Sequence, residues 1–179
     1  MWYFRALNRR IVHFLARPGA GSATPRRILD AGCGTGGLIR DLRRAFPAAQ
    51  VVGLDFSERA CELARQRTGA EVVRGSITEL PFADASFDAV VSADVVCQVE
   101  DGARTLGEFA RVVRPDGVVL VNVPALRWLW SYHDDTCHTK HRYTRRELCA
   151  LCAAAGLRVE FASYANLLPL PLIAARRKL

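Results

Sequence analysis

Two stretches of this 179-residue chain, Phe-Asp-Ala-Val-Val-Ser at 87–92 and Val-Val-Leu-Val-Asn-Val at 118–123, are almost continuously apolar. A strand covered on both faces has this composition, because neither of its alternating rows of side chains meets water. A strand with one wet face alternates instead. The rest of the chain supplies shorter strand-like runs at 27–31, 51–54, Val72-Val73 and 157–161. Helical patterns fall between them. Leu38, Leu42 and Phe46 share a helix face that stops at Pro47, and Ser57 caps a helix with Ala60, Leu63 and Ala64 inside that ends near Gly69. Leu106, Phe109, Ala110 and Val113 mark a helix stopped at Pro115, after which an Asp116-Gly117 turn opens the 118–123 strand. Thr144 and Glu147 form a capping box before Leu148, Leu151 and Cys152, and Gly156 ends that helix. Strand–helix alternation with fully apolar strands predicts an α/β fold, a single-domain doubly wound and mostly parallel sheet.

The ends of the chain read differently. Trp2, Phe4, Leu7, Ile11, Phe14 and Leu15 have helical spacing, so residues 1–22 are expected to be an amphipathic helix and linker preceding a domain at 23–179. Residues 163–179 contain Pro169 and Pro171 and no alternating β-branched run. Proline cannot donate to a ladder, so a final central strand is not expected there. The uncovered sheet edge then calls for the tail itself, a membrane surface or a second copy in a homodimer.

Composition narrows the classes. Half the residues are hydrophobic, enough for one core, and no apolar run approaches the ~20 residues a bilayer requires. The first residues lack a secretory pattern, so a cytoplasmic protein is expected. The six cysteines follow no disulfide framework, and Cys149–Cys152 lies in a helical pattern without a second ligand pair. The net charge of +7 comes from arginines spread along the chain, with Lys140 and Lys178 the only lysines. A nucleic-acid footprint needs a clustered basic face, so the charge argues against that partner.

The chemistry concentrates after the first strand, in Asp30-Ala31-Gly32-Cys33-Gly34-Thr35-Gly36-Gly37. Glycines here let a ligand approach the backbone and leave helix-terminal N–H groups free. The stretch also satisfies GxGxxG, which admits a nicotinamide cofactor. Asp30 opposes that choice, because a carboxylate repels a pyrophosphate and suits a cationic group. Asp55 ends the second strand about 20 residues on, where an acidic side chain takes ribose hydroxyls.

Residues 29–36 resemble motif I of the class I, Rossmann-like S-adenosylmethionine-dependent methyltransferases, and the chain resembles their small-molecule, type 11-like subgroup. The resemblance implies S-adenosylmethionine as cofactor, S-adenosylhomocysteine as product and a small-molecule acceptor. It implies a cofactor site of Asp30, Gly32, Cys33, Gly34 and Gly36 for the methionine part, Asp55 for ribose, and Phe56, Ser76 and Ile77 for adenine. Asp94, after the fourth strand, faces the ligand. The segment Gly75 to Phe82, followed by Phe87-Asp88, is similar to the family's G-D-A-x-x-L-P-F…F-D pattern, with Ser76 in place of the aspartate. Where many relatives have Glu-His, this chain has Cys97-Gln98. The family usually ends with an antiparallel strand, which is expected to be lacking here, as though the domain were truncated.

Trp130-Ser131, His133-Asp134, His138 and Arg142-Tyr143-Thr144 resemble a pattern of small-molecule relatives, in a stretch holding three of the four histidines. Three possibilities stand: a metal site, a structural loop, or a substrate-facing loop with a histidine base. Methyl transfer needs no metal and the spacing matches no zinc signature. The third is preferred, with His133 and then His138 as base, and Asp134 and Tyr143 beside them. The N-terminal Trp2, Tyr3 and Phe4 could form a lid over the cofactor or a helix packed on the sheet. A catalytically silent cofactor-binding or scaffold module is the first alternative function, and a nicotinamide-dependent oxidoreductase the second.

Overall fold

The structure, a computed structural model, describes residues 2–17 and 24–165. The apolar runs become five strands: β1 (Arg27–Ala31), β2 (Gln50–Asp55), β3 (Glu71–Arg74), β4 (Phe87–Ala93) and β5 (Val113–Asn122). They form one sheet in the order β3-β2-β1-β4-β5, with every pairing parallel. The helices are α1 (Trp2–Leu15), α2 (Gly37–Ala45), α3 (Glu58–Thr68), α4 (Gly102–Val112), α5 (Tyr132–Thr136) and α6 (Arg145–Ala154).

Successive residues of a strand point to opposite faces, and two cores result. Ile28, Val51, Ala89 and Val91 point to one side, where Leu7 and Ile11 of α1, Ile39 and Leu42 of α2, and Cys61 and Ala64 of α3 cover them. Leu29, Val52, Leu54 and Val90 point to the other, against Leu106, Phe109 and Val112 of α4 and the partly buried Leu148 and Leu151 of α6. Local chemistry sets the helix ends as expected. Ser57 Oγ accepts from Ala60 N–H at 3.3 Å, Gly69 closes α3 at φ +62°, and Thr144 and Glu147 cap α6 reciprocally.

Two expectations are corrected. The helix drawn to Val113 ends at Val112, and Val113 instead pairs with Phe87 in the sheet. The partner of Ala89 is Val118, so residues 114–117, with the predicted turn, bulge out inside β5 rather than preceding it. The strand expected at 157–161 is absent. Leu157 packs into the core beneath α6, whereas the Phe161 ring meets Phe14 of α1 at 5.3 Å on the opposite face. A segment that links the two faces past the β5 edge cannot run along that edge as a ladder. No antiparallel strand occurs among the described residues, and the tail at 166–179 lies outside them.

Phe109 is fully buried at the centre of the second core. Phe109→Ala is therefore expected to cost about 3–5 kcal/mol in urea unfolding, against about 1 kcal/mol for removing the α6 cap with Thr144→Ala. Equal costs would contradict this account of the core.

Candidate active site

From β1 the chain steps one way to β2 and β3, and from β4 the other way to β5. A crevice opens at such a switch point, at the carboxyl ends of β1 and β4. The glycine loop after β1 borders it. Gly32 has φ +90°, and a Cβ there would lie 2.2 Å from Val95 Cγ2, so the loop rests directly on the segment after β4. Gly34 has nothing within 4 Å of its Cβ position, which leaves its backbone open to a ligand. Gly36, at φ +82°, is the N-cap of α2.

Asp30 lies under this loop, 1% exposed. Its Oδ2 has no hydrogen-bond partner among the described residues. Burial first, and the charge of Asp55 second, push its carboxyl up to about 7. An isolated buried carboxylate is costly, and a cation opposite it would supply both the charge and the donor it lacks. A pyrophosphate would supply neither. The Asp55 carboxylate shapes the same loop, accepting from Gly34 N–H at 2.8 Å and Ser57 N–H at 2.9 Å. Each oxygen keeps a further lone pair for a ligand.

The Phe56 ring is 76% exposed next to Asp55. Ser76 Oγ lies 2.7 Å from Thr78 Oγ1 and accepts from Thr78 N–H, while Ile77 is buried in the second core. Burial pushes the Cys33 thiol well above its ordinary range, as it does that of Cys97, so neither is an activated nucleophile. Asp94, just past β4, has φ +60°, and its carboxylate accepts from Tyr3 Oη–H at 3.1 Å and from Asn122 Nδ2–H at 2.7 Å. Sequence reasoning assigned Asn122 no role. Its signal was a lone amide ending an otherwise apolar strand.

The loop after β5 is built round a buried ion pair. Arg142 donates through Nε to Asp134 Oδ1 at 2.8 Å and through Nη2 to Oδ2 at 3.1 Å, and through Nη1 to Ala125 O at 2.6 Å. Asp134 also accepts from Ser131 N–H, capping α5. Cys97 O, in the 3-10 turn (Val96–Gln98) after β4, accepts from Lys140 N–H at 2.7 Å and His141 N–H at 3.1 Å. Tyr143 is buried, its ring 4.4 Å from that of His141. Asp134 and Tyr143 thus hold the loop together. His133 and His138 are exposed, and His133 Nε2 lies 3.6 Å from Cys137 Sγ. Among the described residues no group of three or more His, Cys, Asp or Glu is gathered as for a metal ion.

The methyltransferase domain family matches residues 29–121, from the middle of β1 to the end of β5. The chain belongs to this family. Its members are S-adenosylmethionine-dependent methyltransferases. The chain is 38% identical over 158 residues to a malonyl-[acyl-carrier protein] O-methyltransferase of Dechloromonas aromatica, covering 85% of this chain and 59% of that protein. It is 38% identical over 107 residues to the demethylmenaquinone methyltransferase of Deinococcus radiodurans, covering 56% of this chain and 44% of that one. It therefore spans about half the length of the curated relatives it matches. Among solved structures it is similar to the protein bound to the Haloferax volcanii Trm112 methyltransferase activator, with a TM-score of 0.74 and 27% identity, over 91% of this chain and 76% of that one.

The Asp134–Arg142 pair is buried on both sides. Removing one partner strands the other charge, so Asp134→Ala should destabilise this methyltransferase domain by about 3–5 kcal/mol. Asp134→Leu combined with Arg142→Met should recover most of that loss in the same urea titration. A double variant no better than the single one would contradict the clasp.

Proposed function

We propose that this chain transfers the methyl group of S-adenosylmethionine to an oxygen, nitrogen or carbon nucleophile of a small molecule in the cytoplasm. One observation carries the cofactor half: a fully buried carboxylate, Asp30, whose Oδ2 has no partner among the described residues, beneath a glycine loop open at Gly34. Asp30 takes the ammonium of the methionine part. Gly34 lets it pass close to the backbone, Gly36 seats the loop against Thr68 and Ala64 of α3, and Asp55 takes the ribose hydroxyls. The exposed Phe56 ring covers the adenine, whose other side meets Ser76 and Ile77.

Bound S-adenosylmethionine supplies a methyl group already activated by its sulfonium, so the protein's share is alignment. Holding two reactants in line can contribute roughly 7–11 kcal/mol. The loop after β5, stapled to Cys97 O and clasped by Asp134 and Arg142, gives the acceptor a firm wall. His133 is the first choice for removing a proton from an acceptor hydroxyl or ammonium, and His138 the second. The relatives' printed acceptors, a malonyl group on a carrier protein and a demethylmenaquinone, are chemically unlike, so the family supports a small-molecule acceptor without naming it.

A silent cofactor-binding module remains the second reading, favoured by Gln98 where relatives carry histidine and by the distance of only 3.6 Å between His133 and the Cys137 thiol. Turnover separates the two. Incubated with methyl-labelled S-adenosylmethionine and a cell extract, the wild type should label a small-molecule product, and His133→Ala should lower kcat at least about tenfold without weakening cofactor binding. Cofactor binding with no labelled product would favour the silent module, and binding of NAD but not S-adenosylhomocysteine would overturn the assignment.

A further inference from the structure

Asp30 is not the only carboxylate at the crevice. Asp94 lies across it, at the carboxyl end of β4, and three features single it out. It is a non-glycine residue at φ +60°, a conformation that costs energy and persists only when its surroundings impose it. Its carboxylate is gripped from two sides, by Asn122 at the end of β5 and by Tyr3 from α1, 91 residues earlier in the chain. Its neighbour Val95 touches Gly32 of the glycine loop, so Asp94 stands beside that loop at the crevice.

We infer that Asp94, aimed by Tyr3 and Asn122, is the counter-charge for the sulfonium and makes this site select S-adenosylmethionine over its demethylated product. The inference rests on the cofactor reading above. The two carboxylates divide the cofactor's two positive charges. Asp30 answers the ammonium, which cofactor and product share. Asp94 answers the charge on sulfur, which transfer of the methyl abolishes: the acceptor's lone pair forms the new bond to carbon, and the pair of the breaking carbon–sulfur bond returns to sulfur, leaving a neutral thioether. A fixed negative group beside that sulfur favours the substrate form and aids release of the product.

The arrangement gives α1 a function. Two hydrogen bonds from different elements, one to each oxygen, fix the Asp94 carboxylate in one orientation, where a free carboxylate would turn toward water. Tyr3, whose hydroxyl burial and the Asp94 charge hold up at about 12, remains a donor throughout the neutral range. Tyr3 and Asn122 are therefore positioning residues, and α1 completes the site from the face opposite α4 and α6.

Isothermal calorimetry on the whole chain with S-adenosylmethionine and S-adenosylhomocysteine tests this, because it needs no acceptor. Asp30→Asn should weaken both ligands by the same factor. Asp94→Asn should weaken S-adenosylmethionine at least about fivefold more than S-adenosylhomocysteine, the order expected for losing one nearby charge in a partly shielded site. Tyr3→Phe, at a half-buried position, should narrow the same preference at least about twofold. It carries the test if Asp94→Asn fails to fold. Variants at Asp94 and Tyr3 that alter both affinities by equal factors would overturn the inference and leave the cofactor reading intact. A wild type that binds neither ligand would overturn both.

Discussion

The buried Asp30 carboxylate is the feature around which the carboxyl edge of the sheet is organised. It sits at the end of a strand covered on both faces, with one oxygen that no described residue satisfies. Burial in this environment holds its carboxyl at about 7 against an ordinary value of 3.8. A raised carboxyl pKa penalises the ionised form. In the ligand-free chain this group therefore costs nothing at low pH and progressively destabilises the fold as pH rises toward 7, by roughly 4 kcal/mol in all. A protein that retains such a group at the mouth of a glycine loop gains from it only when a cation is bound. Under the proposed function, binding of the cofactor's ammonium relieves that penalty.

The surrounding parts follow from that placement. The glycine loop must pass over Asp30 without a side chain at Gly32, because Val95 already occupies the space. Asp55 holds the loop by accepting from Gly34 N–H and keeps lone pairs for a diol. On the far side of the crevice, the hydrogen bonds to Cys97 O and the Asp134–Arg142 clasp fix the loop after β5 without using the side chains of His133 or His138. His133 and His138 are exposed, as groups that meet an acceptor must be, whereas the buried, ion-paired Asp134 and the buried Tyr143 ring serve as scaffolding.

Much of this was legible in the sequence, for identifiable reasons. Strands buried on both faces announce themselves as largely apolar runs, and β1, β2 and β4 lie where those runs predicted. Caps are local, so Ser57 and the Thr144–Glu147 box were readable from residue type and spacing alone. What failed depended on distant contacts. The 157–161 run has strand composition, yet Phe161 is drawn to Phe14 across the sheet edge. The role of Tyr3 required knowing that α1 delivers its first turn to the end of β4, and that of Asn122 required knowing which strand neighbours Asp94. No local pattern encodes either. The Asp134–Arg142 pair lay in a loop read as chemistry, because a single helical turn and the few irregular residues after it give no periodicity from which burial can be read.

Under the proposed function, Asp30 is protonated below its raised pKa and ionises to receive an ammonium. Proton linkage measures this directly. Calorimetry of S-adenosylhomocysteine binding at about pH 6, repeated in buffers of different ionisation enthalpy, should show release approaching one proton per ligand in the wild type. The release should vanish in Asp30→Asn and fade in the wild type as pH rises past about 8. Binding that releases no proton near pH 6, or that takes one up, would contradict the account.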